Sequence, residues 1–364
     1  MNTIKFVAQN QNQTDFANAL SKSVRNYFKA NGISSSGDYR IILKAVLMLG
    51  LYLSALILVF TVHMPAWMAL ILMIIMGIGE AGIGMSVMHD AAHGSFSKHS
   101  WLNVLMSNSL LLLGSNVINW KIQHNLLHHT YPNVHEWDGD IGTKSLRLSS
   151  HSHEGPKIFR YQHLFGPFLY GFMTIMRFFS DLKDLKQYGK MGALDLYNVK
   201  YKTALRSLVV TKLIYLIVFL VLPFLFTDFI WWQILLGFIV FHATASVIMG
   251  TVFQMAHIVE DMEEPLPNED GVIQNQHFVH QLVTTSNFGK RNGLFSWYIG
   301  GLNYQVEHHL FPHICHIHYP KLAPIVAQTA ADFNQPYHCQ KNAYTALRSH
   351  LRTLKRLGRI GEAR

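Results

Sequence analysis

The sequence is poor in charge and in cysteine. Only 14% of its 364 residues are Asp, Glu, Lys or Arg, and the two cysteines are Cys315 and Cys339. Two cysteines this far apart form neither a disulfide framework nor a C-x-x-C pair, so we expect reduced thiols. The first 40 residues are polar and lack an apolar core, which argues against a cleaved signal peptide.

Charge is nearly absent from four long apolar runs. They explain a mean hydropathy of +0.16, which is high for a soluble protein. The runs are residues 41–62, 65–88, 205–226 and 229–253. Each is long enough to cross a hydrocarbon layer of about 30 Å, which takes about 20 helical residues. We therefore predict an all-α polytopic membrane protein with four transmembrane helices in two hairpins, rather than a large soluble core.

The short links within the two hairpins contain no Lys or Arg. They are His63-Met64 and Thr227-Asp228, and all 30 basic residues lie elsewhere. Because basic residues favour the cytoplasmic side of a membrane, we expect both termini and the large polar segments in the cytoplasm. The net charge of +9 then suits anionic membrane lipids. We expect no nucleic-acid binding, since the basic residues flank spans and no recognition motif accompanies them.

Outside the spans the chain contains amphipathic and polar segments. Phe16, Leu20 and Val24 recur at helical spacing and predict an N-terminal helix that lies on the membrane surface. Residues 101–119 are too short, and too rich in Ser and Asn, for a span, which predicts an interfacial or partly inserted helix. The predicted divisions are a cytoplasmic segment at 1–40, a main domain at 41–330 and a basic amphipathic tail at 331–364.

Histidine is concentrated in three clusters at the ends of predicted spans. They are "HDAAH" (His89 and His93), "HNLLHH" (His124, His128 and His129) and "QVEHH" (His308 and His309). Histidines four residues apart share one face of a helix and can reach one metal ion. Adjacent histidines diverge by about 100° on an α-helix and therefore suit two neighbouring ions. We predict a cytoplasmic helical cap that holds a di-metal site, with iron, copper, zinc or nickel suited to imidazole.

Together with "QMAHIVE", "HQLVTTSNF" and "GGLNYQVEHHLFP", these clusters resemble the membrane-bound fatty acid desaturases from about residue 40 to 330. In the third cluster, Gln305 occupies the place of a histidine. This feature resembles the front-end branch of the family and the bacterial acyl-lipid desaturases. The resemblance implies two iron ions, with Gln305 as a further contributor to their coordination. The implied ligands are His89, His93, His124, His128, His129, His257, His308 and His309.

The resemblance also implies a reaction and its partners. O2 would be reduced at the irons, and a double bond would form in a fatty acyl substrate, either acyl-CoA or acyl-lipid. The cytochrome b5 signature "HPGG" is absent, so electrons are expected from a separate donor, ferredoxin or cytochrome b5. A related lipid hydroxylase or ketolase remains open. The non-enzyme alternative is a metal- or haem-binding transporter, although such sites usually lie near the middle of the bundle.

Several residues near the clusters have predicted supporting roles. Candidates for accepting a hydrogen bond from a ligand ring are Asp90, Asp140 and Glu307. Residues that shape a substrate slot or simply pack are Trp120, Asn125, Trp297 and Asn303. Histidines interpreted as surface or supporting residues are His313, His316 and His318. Glu80 and His242 fall within spans, where ionisable groups are either functional or hydrogen-bonded between helices.

Overall fold

The structure, a computed structural model, describes residues 4–152 and 155–360. Its regular elements are mostly α-helices, as predicted. They are α1 (Gln11–Asn31), α2 (Tyr39–Thr61), α3 (Ala66–Gly82), α4 (His89–Ala92), α5 (Ser100–Ser107), α6 (Val117–Trp120), α7 (Gln162–Tyr170), α8 (Met173–Lys190), α9 (Tyr201–Leu216), α10 (Leu222–Phe226), α11 (Trp231–His257), α12 (His277–Thr284), α13 (Gly293–Tyr298), α14 (Gln305–Leu310), α15 (Tyr319–Asp332) and α16 (Ala343–Leu357).

Shorter elements join these helices. Three π-helical segments are Ile83–Met88, Lys121–His128 and Ile217–Val221. The 3-10 turns are Asn108–Leu113, Lys157–Tyr161, Asp195–Tyr197 and His316–His318. The strands are β1 (Lys5–Phe6), β2 (Val272–Ile273), β3 (Asn287–Phe288) and β4 (Cys339–Gln340), and they pair in parallel as β1 with β2 and β3 with β4.

The chain divides into two compact units. The first comprises Asp38–Ile122 and Pro167–Thr251, and the second comprises the rest of the described chain. The two cysteines lie in the second unit and are not joined in a disulfide: Cys315 is buried and Cys339 is exposed.

Four helical runs are long and apolar enough to cross a membrane. They are Tyr39–Thr61, Ala66–Ala92, Tyr201–Phe226 and Trp231–His257, and they confirm four long apolar helices at the predicted positions. A fifth candidate is broken: Ser100–Leu113 and Val117–His128 meet the same criteria together but are bent by 99°. Gly114 lies at this bend with a φ of 72°, a left-handed conformation that glycine adopts without a steric cost. The predicted partly inserted helix at 101–119 therefore corresponds to a bent helical pair.

The two short links between the apolar helices meet in the first unit. His63 Nδ1 lies 2.7 Å from Asp228 Oδ2, and both side chains are largely exposed. These residues belong to the two short links, so the links lie at the same end of this unit.

The first unit also contains buried polar contacts between helices. Lys212 Nζ lies 2.9 Å from an Asp181 carboxylate oxygen, and both side chains are buried. His242 Nδ1 is 2.8 Å from the Thr174 hydroxyl and its Nε2 is 3.1 Å from the Tyr215 hydroxyl, the interhelical bonding expected of a histidine here. The Glu80 carboxyl is buried and makes no hydrogen bond within the described chain.

Helix α1 belongs to the core of the second unit. Its N-cap Asn10 accepts from Gln13 N–H, and Gly32 ends it with a φ of 61°. Phe16, Leu20 and Val24 are buried in a cluster formed with residues of α12, α14 and α15. The predicted helix is present, but the prediction that its apolar face rests on the membrane surface is wrong, because that face is covered by protein.

Candidate metal centre

The first histidine cluster follows the second apolar run. His93 N–H donates to the His89 carbonyl at 3.1 Å, and the two ring centroids lie 4.8 Å apart. The predicted shared face is therefore present. Trp120 lies edge-on to both rings, with centroid distances of 5.6 Å to His89 and 5.7 Å to His93. All three residues belong to the first unit.

The second cluster lies on a π-helix, which changes its predicted geometry. His129 N–H donates to the His124 carbonyl at 2.9 Å, a bond that spans five residues. In a π-helix residues five apart meet, and π-bulges are frequent at functional sites. His124 Nε2 and His129 Nε2 consequently lie 3.2 Å apart. The predicted divergence of His129 by about 100° from the face that His124 and His128 share assumed α-helical geometry, and the π-helix brings His129 to His124 instead.

Six histidines converge inside the second unit. They are His124, His128, His129, His257, His308 and His309, and all are buried. Potential ligand atoms of His128, His257 and His309 lie within 4.8 Å of one another. The His129 ring centroid lies 4.5 Å from that of His308 and 4.4 Å from that of His309. Three chain segments that are distant in the sequence therefore bring their imidazoles to one place.

Four of these rings have an oxygen beside Nδ1. The oxygens belong to Asp138 for His128 (3.1 and 3.2 Å), the Thr284 carbonyl for His257 (3.2 Å), the Tyr319 hydroxyl for His308 (3.2 Å) and the Gln281 side-chain carbonyl for His309 (2.9 Å). When Nδ1–H donates to such an acceptor, Nε2 is left as the lone-pair donor that faces a metal. The arrangement fits rings whose Nε2 atoms all serve as ligands.

Two carboxylates adjoin the His128 ring. Asp138 is buried, and its oxygens also accept the N–H groups of Asn133 at 3.0 Å and Asp140 at 2.9 Å. Burial alone would raise the pKa of Asp138, but the His128 ring and these hydrogen bonds lower it below its usual range. Asp140 Oδ2 lies 3.4 Å from His128 Nδ1, and the Gln123 amide donates to the other Asp140 oxygen at 2.5 Å. The centre thus has an ionised acid behind one ligand, and the predicted role of Asp140 is shared with Asp138.

His309 carries the clearest mark of a metal ligand. Its Nε2 is buried and makes no hydrogen bond within the described chain. Burial, followed by the neighbouring histidines, holds the pKa of His309 well below its usual value. The ring is therefore neutral at pH 7, as a metal ligand must be.

Gln305 lies beside another member of the cluster. Its Nε2 is 3.1 Å from His257 Nε2, and its carbonyl oxygen is buried without a hydrogen bond within the described chain. The side-chain amide could therefore present either atom at this place, since amide orientation follows from the hydrogen bonds.

Other predicted residues have structural partners instead. The Glu307 carboxylate accepts from Asn287 at 2.8 Å and from the Tyr337 hydroxyl at 2.7 Å, so it does not orient a ligand ring as predicted. Asn303 donates to the Ser296 hydroxyl at 2.8 Å, which favours a packing role. Asp90 Oδ1 is 3.8 Å from His89 Nδ1, beyond a hydrogen bond.

Three further histidines follow the third cluster in the sequence, and they differ in exposure. His313 is exposed, whereas His316 and His318 are buried. His318 Nε2 lies 3.3 Å from the Ser36 carbonyl, and its ring stacks edge-on against Phe28. These contacts agree with a supporting structural role for His318.

Sequence reasoning missed four residues that contact ligand rings. They are Asp138, Gln281, Thr284 and Tyr319. Gln281 and Thr284 lie within the motif "HQLVTTSNF", which was a usable signal. Thr284 acts through its backbone carbonyl, which no side-chain pattern reveals. Asp138 stands two residues before Asp140 in a polar segment, and nothing in the sequence distinguishes the two.

Comparison with known proteins gives consistent matches. The model of the fatty acid desaturase family matches residues 65–341. The chain is 32% identical to an sn-1 linoleoyl-lipid 6-desaturase of Arthrospira platensis, over 94% of this chain and 92% of that protein. It is 30% identical to a protein of the same description from Synechocystis sp., over 94% and 96%. An acyl-lipid (8-3)-desaturase of Physcomitrium patens is 32% identical over 94% of this chain and 72% of its own length.

Proposed function

Because the chain belongs to the fatty acid desaturase family and is an oxidoreductase of that class, we propose that it desaturates acyl chains of membrane lipids at a histidine-bound di-iron centre. One observation carries this proposal: six buried histidines converge in one unit, and four have an oxygen acceptor at Nδ1. An acceptor at Nδ1 leaves Nε2 of each ring available to a metal.

The proposed ligand set has eight histidines. His89 and His93 would complete the coordination together with the six histidines of the second unit. Gln305, beside His257, would contribute to the same ion as that histidine or hold a water there. Eight imidazoles exceed what one ion binds, so the set supports two ions.

Iron is the metal that the chemistry favours. Imidazole also suits copper and zinc, but zinc has no redox chemistry, and removal of hydrogen from an unactivated methylene needs a strong oxidant. Iron held by these histidines would supply the redox chemistry with O2 that yields such an oxidant. The residues of the chain bind the ions and orient the rings: Asp138 holds the His128 ring and increases its electron donation, and Gln281 fixes the His309 ring.

The proposed reaction requires substrates that the chain must collect separately. One O2, two electrons, two protons and a CH2–CH2 unit give a CH=CH unit and two waters. The relatives described above are named for acyl-lipid substrates, so we propose an esterified acyl lipid rather than acyl-CoA. The electrons would come from a separate carrier, ferredoxin or cytochrome b5.

The proposed orientation places the histidine centre in the cytoplasm. Both hairpin links lack basic residues and lie at the same end of the first unit. By the positive-inside tendency this end would face away from the cytoplasm, and both termini would lie on the cytoplasmic side with the electron donor.

The product profile of an expressing host tests the function. We expect new unsaturated fatty acids in the membrane lipids when the chain and a ferredoxin system are expressed together, measured as methyl esters by mass spectrometry. His309→Ala should abolish the product because it removes a ligand, whereas His313→Ala, an exposed histidine four residues away, should preserve it. Hydroxylated products would support the hydroxylase instead, and undiminished desaturation by His309→Ala would exclude this centre.

A further inference from the structure

Helix α16 has one buried face and one basic face. The buried face includes Leu354 and Leu357. The exposed basic residues of the helix are Arg348, Arg352, Lys355 and Arg356. Glu260 lies 3.6 Å from Arg352 and offsets part of this charge. The C-terminal end of α16, which exposed Arg359 follows, therefore has a strong positive charge.

The C-terminal end of α16 is fastened to the turn Lys157–Tyr161 and the residue after it. Gln162 donates from its amide to the Leu354 carbonyl at 2.8 Å. A Cβ at Gly358 would overlap the Phe159 carbonyl oxygen, so glycine is what allows the close approach. The basic end of the helix is therefore held against this turn.

The same turn exposes large apolar side chains. Ile158 is 55% exposed, Tyr161 48% and Leu164 71%, and their spacing of three places them along one side of the turn and the start of α7. Lys157 and Arg160 are exposed between them. An apolar row with basic neighbours is the composition of a segment that lies at the boundary of headgroups and acyl chains.

The charges of α16 act on this segment. Burial, and then the positive charges of Lys355 and Arg359, lower the pKa of His163. Because the Gln162–Leu354 hydrogen bond and the Gly358–Phe159 contact join the two segments, the apolar row and the positive charges adjoin each other.

We propose that this area binds the anionic headgroups of bilayer lipids and so holds α16 at the membrane. We call it the interfacial surface; it consists of Ile158, Tyr161, Leu164, Lys355, Arg356 and Arg359. Basic side chains meet the negative potential of an anionic leaflet, while the apolar row enters the headgroup region. An acidic soluble electron carrier is the competing partner for this surface. Binding such a carrier would require only the basic residues, whereas the exposed apolar row favours a bilayer.

The interfacial surface also has a structural connection to the metal centre. His350, in the same helix, lies with Nδ1 2.7 Å from the Ile258 carbonyl, and the Ser349 hydroxyl accepts from Glu260 N–H at 2.9 Å. Ile258 follows His257 directly. If His257 is an iron ligand, as the proposed function requires, lipid binding by α16 would therefore stabilise the segment that contains it.

Hydrogen exchange of the full-length protein tests the surface. The protein is placed in nanodiscs of phosphatidylcholine alone or mixed with phosphatidylglycerol, and exchange is measured by mass spectrometry over α16. We expect several-fold slower exchange in the anionic nanodiscs. The charge-reversal variant Lys355→Glu/Arg356→Glu/Arg359→Glu should lose this difference. The matched control Lys22→Glu/Arg25→Glu/Lys29→Glu alters three exposed basic residues of α1 and should keep it.

Three results would overturn the proposal. The first is equal exchange over α16 in the two kinds of nanodisc. The second is loss of the difference in the α1 control as well. The third is exchange that slows only when reduced ferredoxin is added to neutral nanodiscs. The last result would assign the surface to the electron carrier. If the charge reversal prevents folding, Ile158→Ser/Leu164→Ser keeps every charge and should still reduce the lipid-dependent slowing. The measurement needs neither iron nor turnover, so failure of the proposed enzyme function would leave its outcome unchanged.

Discussion

At the scale of single residues, the candidate centre depends on acceptors behind the ligand rings. Asp138, Gln281 and Tyr319 each place a side-chain oxygen beside a histidine Nδ1. Such outer contacts fix the tautomer and the orientation of a ring, and their loss typically lowers metal affinity or activity by about 10–100-fold. These residues therefore give tests that leave all eight proposed ligands in place.

Asp138→Ala should weaken iron binding by about 10–100-fold, because the His128 ring loses its acceptor and the negative charge behind it. Iron per protein, measured by plasma mass spectrometry after exposure to a graded chelator, reports this loss without turnover. Asp332→Ala, an exposed acid on α15, should match the unaltered protein. Equal iron retention by Asp138→Ala and Asp332→Ala would contradict the role of Asp138.

The hydrogen bond from His309 to Gln281 predicts a difference between two substitutions at position 281. Gln281→Leu removes the oxygen that accepts from Nδ1 and should lower iron content, whereas Gln281→Glu keeps an acceptor and should retain it. Because Gln281 is fully buried and also donates to the His129 carbonyl, both variants lose that second bond. The comparison therefore tests the acceptor together with the negative charge that Glu adds; equal iron contents in the two variants would show that the acceptor has no effect.

Residue identity in the histidine boxes could be predicted, but the contacts behind the rings could not. The three boxes stand out because histidines recur at short spacing, and the second and third boxes converge with His257 in the second unit. Asp138 and Glu307 show the limit. Both are acids near a box, yet one contacts a ring and the other accepts from Asn287 and Tyr337. Whether an acid contacts a histidine ring or other residues depends on long-range packing, which the local spacing of residues does not reveal.

At the scale of elements, helix type decides how the second box is arranged. An α-helical spacing argument pairs His124 with His128 and directs His129 elsewhere. The π-helical segment Lys121–His128 brings His124 and His129 to 3.2 Å instead. A π-helix has the same residue preferences as its surroundings, so periodicity in the sequence predicts a helix here without giving its type.

A buried ion pair stabilises the bend that precedes this π-helix. Asp181 of α8 accepts from Lys212 of α9 and from the Ser115 hydroxyl at 2.8 Å, and its carbonyl accepts from Asn119 at 2.9 Å. Lys212 Nζ also lies over the Phe178 ring, 4.0 Å from its centroid. Both α8 and α9 thus hold the segment between Gly114 and Asn119 in place.

Lys212→Met should lower the stability of the protein, by about 3–5 kcal/mol if the remaining charge stays buried. Asp181→Asn/Lys212→Met should be more stable than Lys212→Met alone, because the second change removes the unpaired charge. Thermal aggregation in detergent, followed by fluorescence size exclusion, measures the order. Lys183→Met, at an exposed position of α8, provides the control. A double variant no more stable than Lys212→Met would refute the ion-pair explanation.

At the scale of the whole molecule, span number followed from length and hydropathy, but the position of α1 did not. Each span exceeds the thickness of the hydrocarbon layer, a requirement that a single sequence displays directly. The apolar stripe of α1 is equally suited to a membrane surface or to a protein core. Only the cluster that covers Phe16, Leu20 and Val24 distinguishes the two environments.

The proposed orientation across the membrane makes the two hairpin links and Cys339 reach opposite aqueous sides. Cys339 is exposed and Cys315 is buried, so Cys339 is a thiol reporter for the side that the proposed orientation makes cytoplasmic. A membrane-impermeant maleimide should leave Cys339 unlabelled in intact cells and label it in inside-out vesicles. Met64→Cys in a Cys339→Ser background should give the reverse, since position 64 is partly exposed in the first short link. Labelling of both positions from the same side would contradict the even number of spans, because a single additional crossing by the bent pair 100–128 would move Cys339 to the side of the first link.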